Sequence, residues 1–233
     1  MTSARDRAQD RYGHEIFSDQ RSGHLHVLAH QASDHELPEW GMETLEGALS
    51  DRLLLDSRWL HLHFHMARFE IDLGRWHAAF DRFRHHYIPA ILRGCDVLTD
   101  APALLWWLAM SAPLPVELPW GMVHGVALRA IHQSADPFIQ LHQLLAFAGA
   151  RDVNSLRVYV TRLSLEVTPT AQTLRAMANA LLSLAEGAYQ QAADRIARRL
   201  PELISLGGSH AQQSLFTELW RYCEEQATKQ NVA

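Results

Sequence analysis

Leu73-Gly74-Arg75-Trp76-His77-Ala78-Ala79-Phe80-Asp81-Arg82-Phe83 is the stretch whose reading decides the fold. Glycine reaches the left-handed backbone that ends a helix, so Gly74 closes one helix and lets the chain turn back. Trp76 follows as a bulky wedge, Ala79 offers a small contact where two helices approach, and Phe83 is the next aromatic. The pattern returns at Glu186-Gly187-Ala188-Tyr189-Gln190-Gln191-Ala192-Ala193, closed by Ile196, which makes Ala79 and Ala192 equivalent. Weaker copies put Gly41 in that role, within Trp40-Gly41-Met42-Glu43-Thr44-Leu45, and Ser155, with Tyr159 four residues on. The small positions recur at steps of 38, 76 and 37 residues, so one divergent unit is expected inside the double step. There Leu104 to Met110 reads as helix, Pro113, Pro115 and Pro119 break it, and Trp120 to His132 resumes it.

The predicted hairpins span 22–50, 57–88, 100–132, 137–166 and 171–200, and a last helix runs from Ser209, a suitable N-cap, to about Ala227. Apolar residues follow i, i+3, i+4 and never alternate over a strand's length, so the expected class is all-α. The turn and second helix resemble those of a tetratricopeptide repeat. That resemblance implies a short right-handed α-solenoid of about five such hairpins plus a C-terminal capping helix. Residues 21–229 are then one helical-repeat domain, and 1–20 a flexible N-terminal arm.

Composition narrows the function classes. Of 233 residues 48% are hydrophobic, enough to build a core. The net charge of −5 argues against a nucleic-acid binder, which needs a surplus of Lys and Arg. The two cysteines, Cys95 and Cys223, form no CxxC pair, so neither a cysteine zinc site nor a disulfide framework is expected. Met1 to Gln20 is polar and lacks the apolar core of a signal peptide. The apolar stretch Ala101 to Ala112 is too short for a bilayer, and a cytoplasmic location is the expectation. Histidine is in excess, with 15 copies, and that excess needs either a functional or a packing explanation.

Several segments resemble the tetratricopeptide repeat protein 38-like family. They are His26-Val27-Leu28-Ala29-His30, Trp59-Leu60-His61-Leu62, Asp100-Ala101 leading to Leu104-Leu105-Trp106, Phe138 to His142, Glu186-Gly187-Ala188-Tyr189 and Gly208-Ser209-His210-Ala211-Gln212. The resemblance covers the chain from about Gly23 and implies recurring polar positions at His30, His61, Asp100, His142, Ser209 and His210. Ser57, Trp107, Gln140, Gln213 and Ser214 stand where the family favours other, mostly charged, residues. The chain looks like the C-terminal half of a longer member, with an ancestral site either lost or adapted to a less polar ligand.

In a tetratricopeptide hairpin the first helix lines the concave groove. That assigns His26, His30, His61, Phe64 and Arg68 to the groove, and lets Trp106, Trp107 and Trp120 wall an apolar pocket. His26 and His30 share a helix face at i, i+4, as do His61 and His65. Two such pairs on adjacent helices make a three- or four-histidine site for a divalent metal such as zinc. An acid/base reading instead takes His30, His61, His142 and His210 as catalytic, with Asp100 orienting one of them. The plain alternative is that these histidines bond to carbonyls and carboxylates and tie helical layers together. His63 falls at a packing slot, and His85-His86 near a helix C-terminus would complement its dipole. No HExxH, GxSxG, phosphate loop or dinucleotide fingerprint occurs.

Three functions follow. One is a cofactor-free binding module for a small molecule, peptide or protein partner. Another is an enzyme of small-molecule biosynthesis performing cyclisation, isomerisation or dehydration, and the third a metalloenzyme. A short stack exposes an apolar end, which homodimerisation would cover.

Overall fold

The computed structural model describes residues 20–49, 56–111, 117–130 and 136–232, without the side chains of Gln20, His210 and Ala211. Residues 1–19 of the expected arm, Pro113, Pro115 and His132 lie outside the described residues. All regular structure among the described residues is helical, in agreement with the apolar spacing. No described helix is long and apolar enough to cross a membrane. The chain forms two compact units, Met1–Leu118 with Gly208–Ala211, and Pro119–Gly207 with Gln212–Ala233.

The first unit contains α1 (Gln20–Asp34), α2 (Pro38–Glu46), α3 (Ser57–Asp72), α4 (Trp76–Arg82), a π-helical turn (Phe83–Tyr87), α5 (Ile88–Leu92) and α6 (Ala101–Ser111). Helix α3 is central and packs against α1, α2, α4 and α6. It begins where the Asp56 carboxylate accepts the Arg58 amide at 2.9 Å. It ends as expected at Gly74, whose φ of 70° is the left-handed conformation. The Gly74 N–H then donates to Ile71 O, and the Arg75 N–H to Glu70 O at 2.7 Å. Gly41 also earns its small-residue assignment, because a Cβ there would lie 2.4 Å from the Phe69 ring. Only glycine lets α2 seat against α3.

The helix after Gly74 departs from expectation. It does not stop near His85-His86 but continues through the π turn into α5. His85 and His86 therefore sit inside a helical run rather than at a C-terminus, and the dipole role does not apply. The His85 Nδ1–H donates to Asp81 O at 2.7 Å, while His86 turns inward.

The second unit holds α7 (Trp120–Ala130), α8 (Pro137–Gly149), α9 (Val153–Leu163), α10 (Pro169–Ala185), α11 (Tyr189–Ala197), a 3-10 turn (Leu200–Leu206) and the body of α12 (His210–Val232). Helix α10 packs against α8, α9 and α11. The second copy of the deciding motif behaves like the first: Gly187 has φ 77°, and Ala192 is wholly buried.

Candidate functional site

Helix α3 is buried nearly all round, from Leu60 through Ile71. An interior helix must satisfy every polar side chain it carries. Its polar residues divide by helical geometry into opposite faces: His61 and His65 at i, i+4, and His63 and Glu70 at i, i+7.

On the first face, His61 and His65 meet His26 and His30 from α1. One nitrogen from each of the four imidazoles lies within 4.8 Å of all the others. Ring centroids stand 4.4 Å apart for His26–His30, 5.0 Å for His26–His61, 4.7 Å for His30–His65 and 4.8 Å for His61–His65. The Nε2 atoms of His26 and His30 are 2.9 Å apart, so one carries the proton and donates it to the other's lone pair. The His61 Nδ1–H donates to Asp100 Oδ1 at 2.9 Å, which leaves its Nε2 as the bare nitrogen. His65 is 1% exposed, and neither of its nitrogens has a hydrogen-bond partner.

Electrostatics hold this cluster neutral. Burial, then the neighbouring His61 and His30, push His26 down to about 2. Burial and His61 push His30 down to about 4. Burial first, and then the three other rings, hold His65 well below the usual imidazole range. Neutral imidazoles present lone pairs, which is the state a metal ligand requires. A tetrahedral ion bound at about 2.0–2.1 Å spaces its nitrogens about 3.3 Å apart. The 2.9 Å contact and the 4.8 Å outer limit bracket that spacing, so small ring rotations admit an ion.

The opposite face carries a network that sequence reading missed. Arg82 grips Glu70 with a fork, Nε to Oε2 at 3.0 Å and Nη2 to Oε1 at 2.6 Å. Its Nη1 donates to His63 Nδ1 at 3.0 Å, and His63 stacks on His86 with centroids 3.6 Å apart. Burial, then the His86 and Arg82 charges, push His63 down to about 3. The signal in the sequence was Glu70, a lone acid between Phe69 and Ile71 on the stripe of His63.

The remaining assigned residues are distributed as follows. Phe64 and Trp107 are fully buried and face each other at 5.5 Å, so they are core rather than groove wall. Trp106 is likewise buried. The Arg68 guanidinium lies 4.6 Å over the Trp107 ring and pairs with Asp72 at 2.8 Å. His142 belongs to the second unit, where its Nδ1–H donates to Phe138 O at 2.9 Å. That unit has its own polar core: Gln143 accepts from the Tyr159 hydroxyl and donates to Ala130 O, and Arg162 covers the Tyr159 ring at 4.1 Å. The side chain of His210 lies outside the described residues.

The depressed histidines make the fold acid-sensitive. In the unfolded chain they take up protons near 6.5, but in the fold only near 4 for His30, 3 for His63 and 2 for His26. Their contribution is intact above pH 6.5 and drains away as pH falls toward those lower values. Each buried histidine costs up to about 1.4 kcal/mol per pH unit in that window. Urea unfolding of metal-free protein is expected to show a lower midpoint at about pH 5.5 than at about pH 7.5, a range in which ordinary carboxylates stay ionised. Equal midpoints would show that the rings protonate freely in the fold.

No protein-family model matches the chain, and no solved structure matches it.

Proposed function

We propose that this chain is a metal-binding helical protein that holds a divalent transition-metal ion with His26, His30, His61 and His65. The observation that carries this reading is the gathering of four neutral imidazoles around a wholly buried His65 with two unbonded nitrogens. A buried polar atom without a partner costs about 1–3 kcal/mol, and a metal bond removes that cost. An all-nitrogen donor set suits Zn²⁺, Ni²⁺ or Cu²⁺ and is unfavourable to Mg²⁺ and Ca²⁺, which want oxygen. The ligand expected of a helical binding protein is then an ion rather than a peptide or an apolar molecule.

The hairpins are read as tetratricopeptide-like units of a right-handed solenoid. Packing of α1 on α3 and α3 on α6 in the first unit, and of α8 on α10 in the second, supports stacking of successive first helices. The positions implied by the tetratricopeptide repeat protein 38-like resemblance lend support where His30, His61 and Asp100 fall at this cluster.

Titration of metal-free, untagged, full-length protein with zinc, read by native mass spectrometry, is expected to give a single bound ion per chain. His30→Ala and His65→Ala should each remove it. Protein that takes up no zinc at large excess overturns the reading. The same spectra report whether two copies pair.

A second reading is favoured by one observation, the His61–Asp100 bond at the edge of the cluster. A carboxylate-held histidine with 13% of its side chain exposed is a competent general base for cyclisation, isomerisation or dehydration. This reading requires no ion among the histidines, so the zinc titration separates the two.

A further inference from the structure

Asp100 stands immediately before α6 (Ala101–Ser111), and its carbonyl accepts the Leu104 amide at 2.9 Å. That is the N-cap position, where an aspartate side chain ordinarily accepts an amide of the first turn. Asp100 makes no such bond among the described residues. Its Oδ1 accepts from His61 Nδ1 at 2.9 Å, and its Oδ2 lies 3.5 Å from the Tyr87 hydroxyl. The residue is 4% exposed, so its charge is buried for the sake of these two contacts. Tyr87 is fully buried, ends the π turn and donates its proton to Leu60 O at 2.8 Å. Irregular π turns often mark functional positions, and this one brings Tyr87 onto the carboxylate.

We infer that Asp100 is the positioning residue of the four-histidine site. By accepting from Nδ1 it fixes the tautomer and the plane of His61, so that Nε2 faces His26, His30 and His65. A carboxylate behind a metal-bound imidazole also makes that ring a stronger donor and places a negative charge near the cation. The four histidine ligands are neutral, which leaves Asp100 as the group that offsets part of the ion's charge. The inference rests on the metal reading above.

The test is a zinc competition against a chromophoric chelator, using full-length protein with Asp100→Asn and Asp100→Ala. Asparagine keeps the size and an oxygen acceptor but removes the charge. Zinc Kd is expected to rise about 10–100-fold, with the larger effect for alanine. Long-range ¹⁵N NMR of the metal-free wild type should show His61 protonated on Nδ1 and bare at Nε2, a readout that needs no variant to fold. Unchanged zinc affinity in both variants, with a lowered unfolding midpoint, would make Asp100 a structural tie between α3 and α6 and overturn the inference alone. His61 in the opposite tautomer overturns it as well. A wild type that binds no zinc overturns this inference and the metal reading together.

Discussion

Zinc added to metal-free protein is expected to raise the unfolding temperature of the unit carrying the histidines by roughly 10 °C. The ion binds the folded cluster and finds no assembled site in the unfolded chain, so its binding energy adds to stability. At free zinc about 1,000 times Kd the gain is about 4 kcal/mol. For a chain of this size each kcal/mol moves the midpoint by about 2–4 °C. Magnesium should have no such effect. His65→Ala is the deciding variant, because His65 is the ligand with no other bond to lose. Calorimetry of wild type and variant with and without zinc checks the expectation. An equal zinc shift in His65→Ala would put the ion elsewhere.

Arg82→Ala is expected to be the most damaging single change away from the histidine cluster. It removes both hydrogen bonds to Glu70, a carboxylate with 4% of its side chain exposed, and the donor to His63 Nδ1. Leaving one member of a buried ion pair uncompensated costs about 3–5 kcal/mol, or roughly 10 °C of midpoint. The double variant Arg82→Met, Glu70→Leu should recover much of the loss, because apolar side chains of similar volume replace buried pairs well. Zinc affinity should stay near wild type in the folded variants, since the network lies on the far side of α3 from His61 and His65. Thermal unfolding with a parallel zinc titration measures both. A small loss in Arg82→Ala would mean that Glu70 reaches water or is protonated.

These two expectations divide cleanly because of what the sequence makes visible. Gly74 and Gly187, each followed by an aromatic and a buried alanine, announce their turns before any coordinates. The pairs His26/His30 and His61/His65 are legible because i, i+4 spacing fixes a shared face whatever the tertiary context. That α1 and α3 turn those faces toward each other depends on packing, which spacing alone does not specify. The Arg82–Glu70–His63–His86 network was hidden for the same reason: its members belong to separate helical turns and meet only once α4 folds back on α3. Phe64 shows the opposite failure. Groove geometry was assigned from the repeat, whereas α3 is enclosed on every side and keeps Phe64 in the core. The division into two compact units left no mark in composition.

The π turn at Phe83–Tyr87 carries a further consequence, for how this hairpin tolerates change in length. Such a turn is what a one-residue insertion leaves in an α-helix, with the surplus absorbed as a local widening. Removing a residue there would restore a regular helix but rotate everything downstream by about 100°. Tyr87 would lose the Leu60 carbonyl, and Ala90 and Ile91 would leave the interior they now fill. The segment is thus a frame-keeper: substitutions within it can be absorbed singly, but its residue count cannot change without carrying Tyr87 out of reach of Asp100.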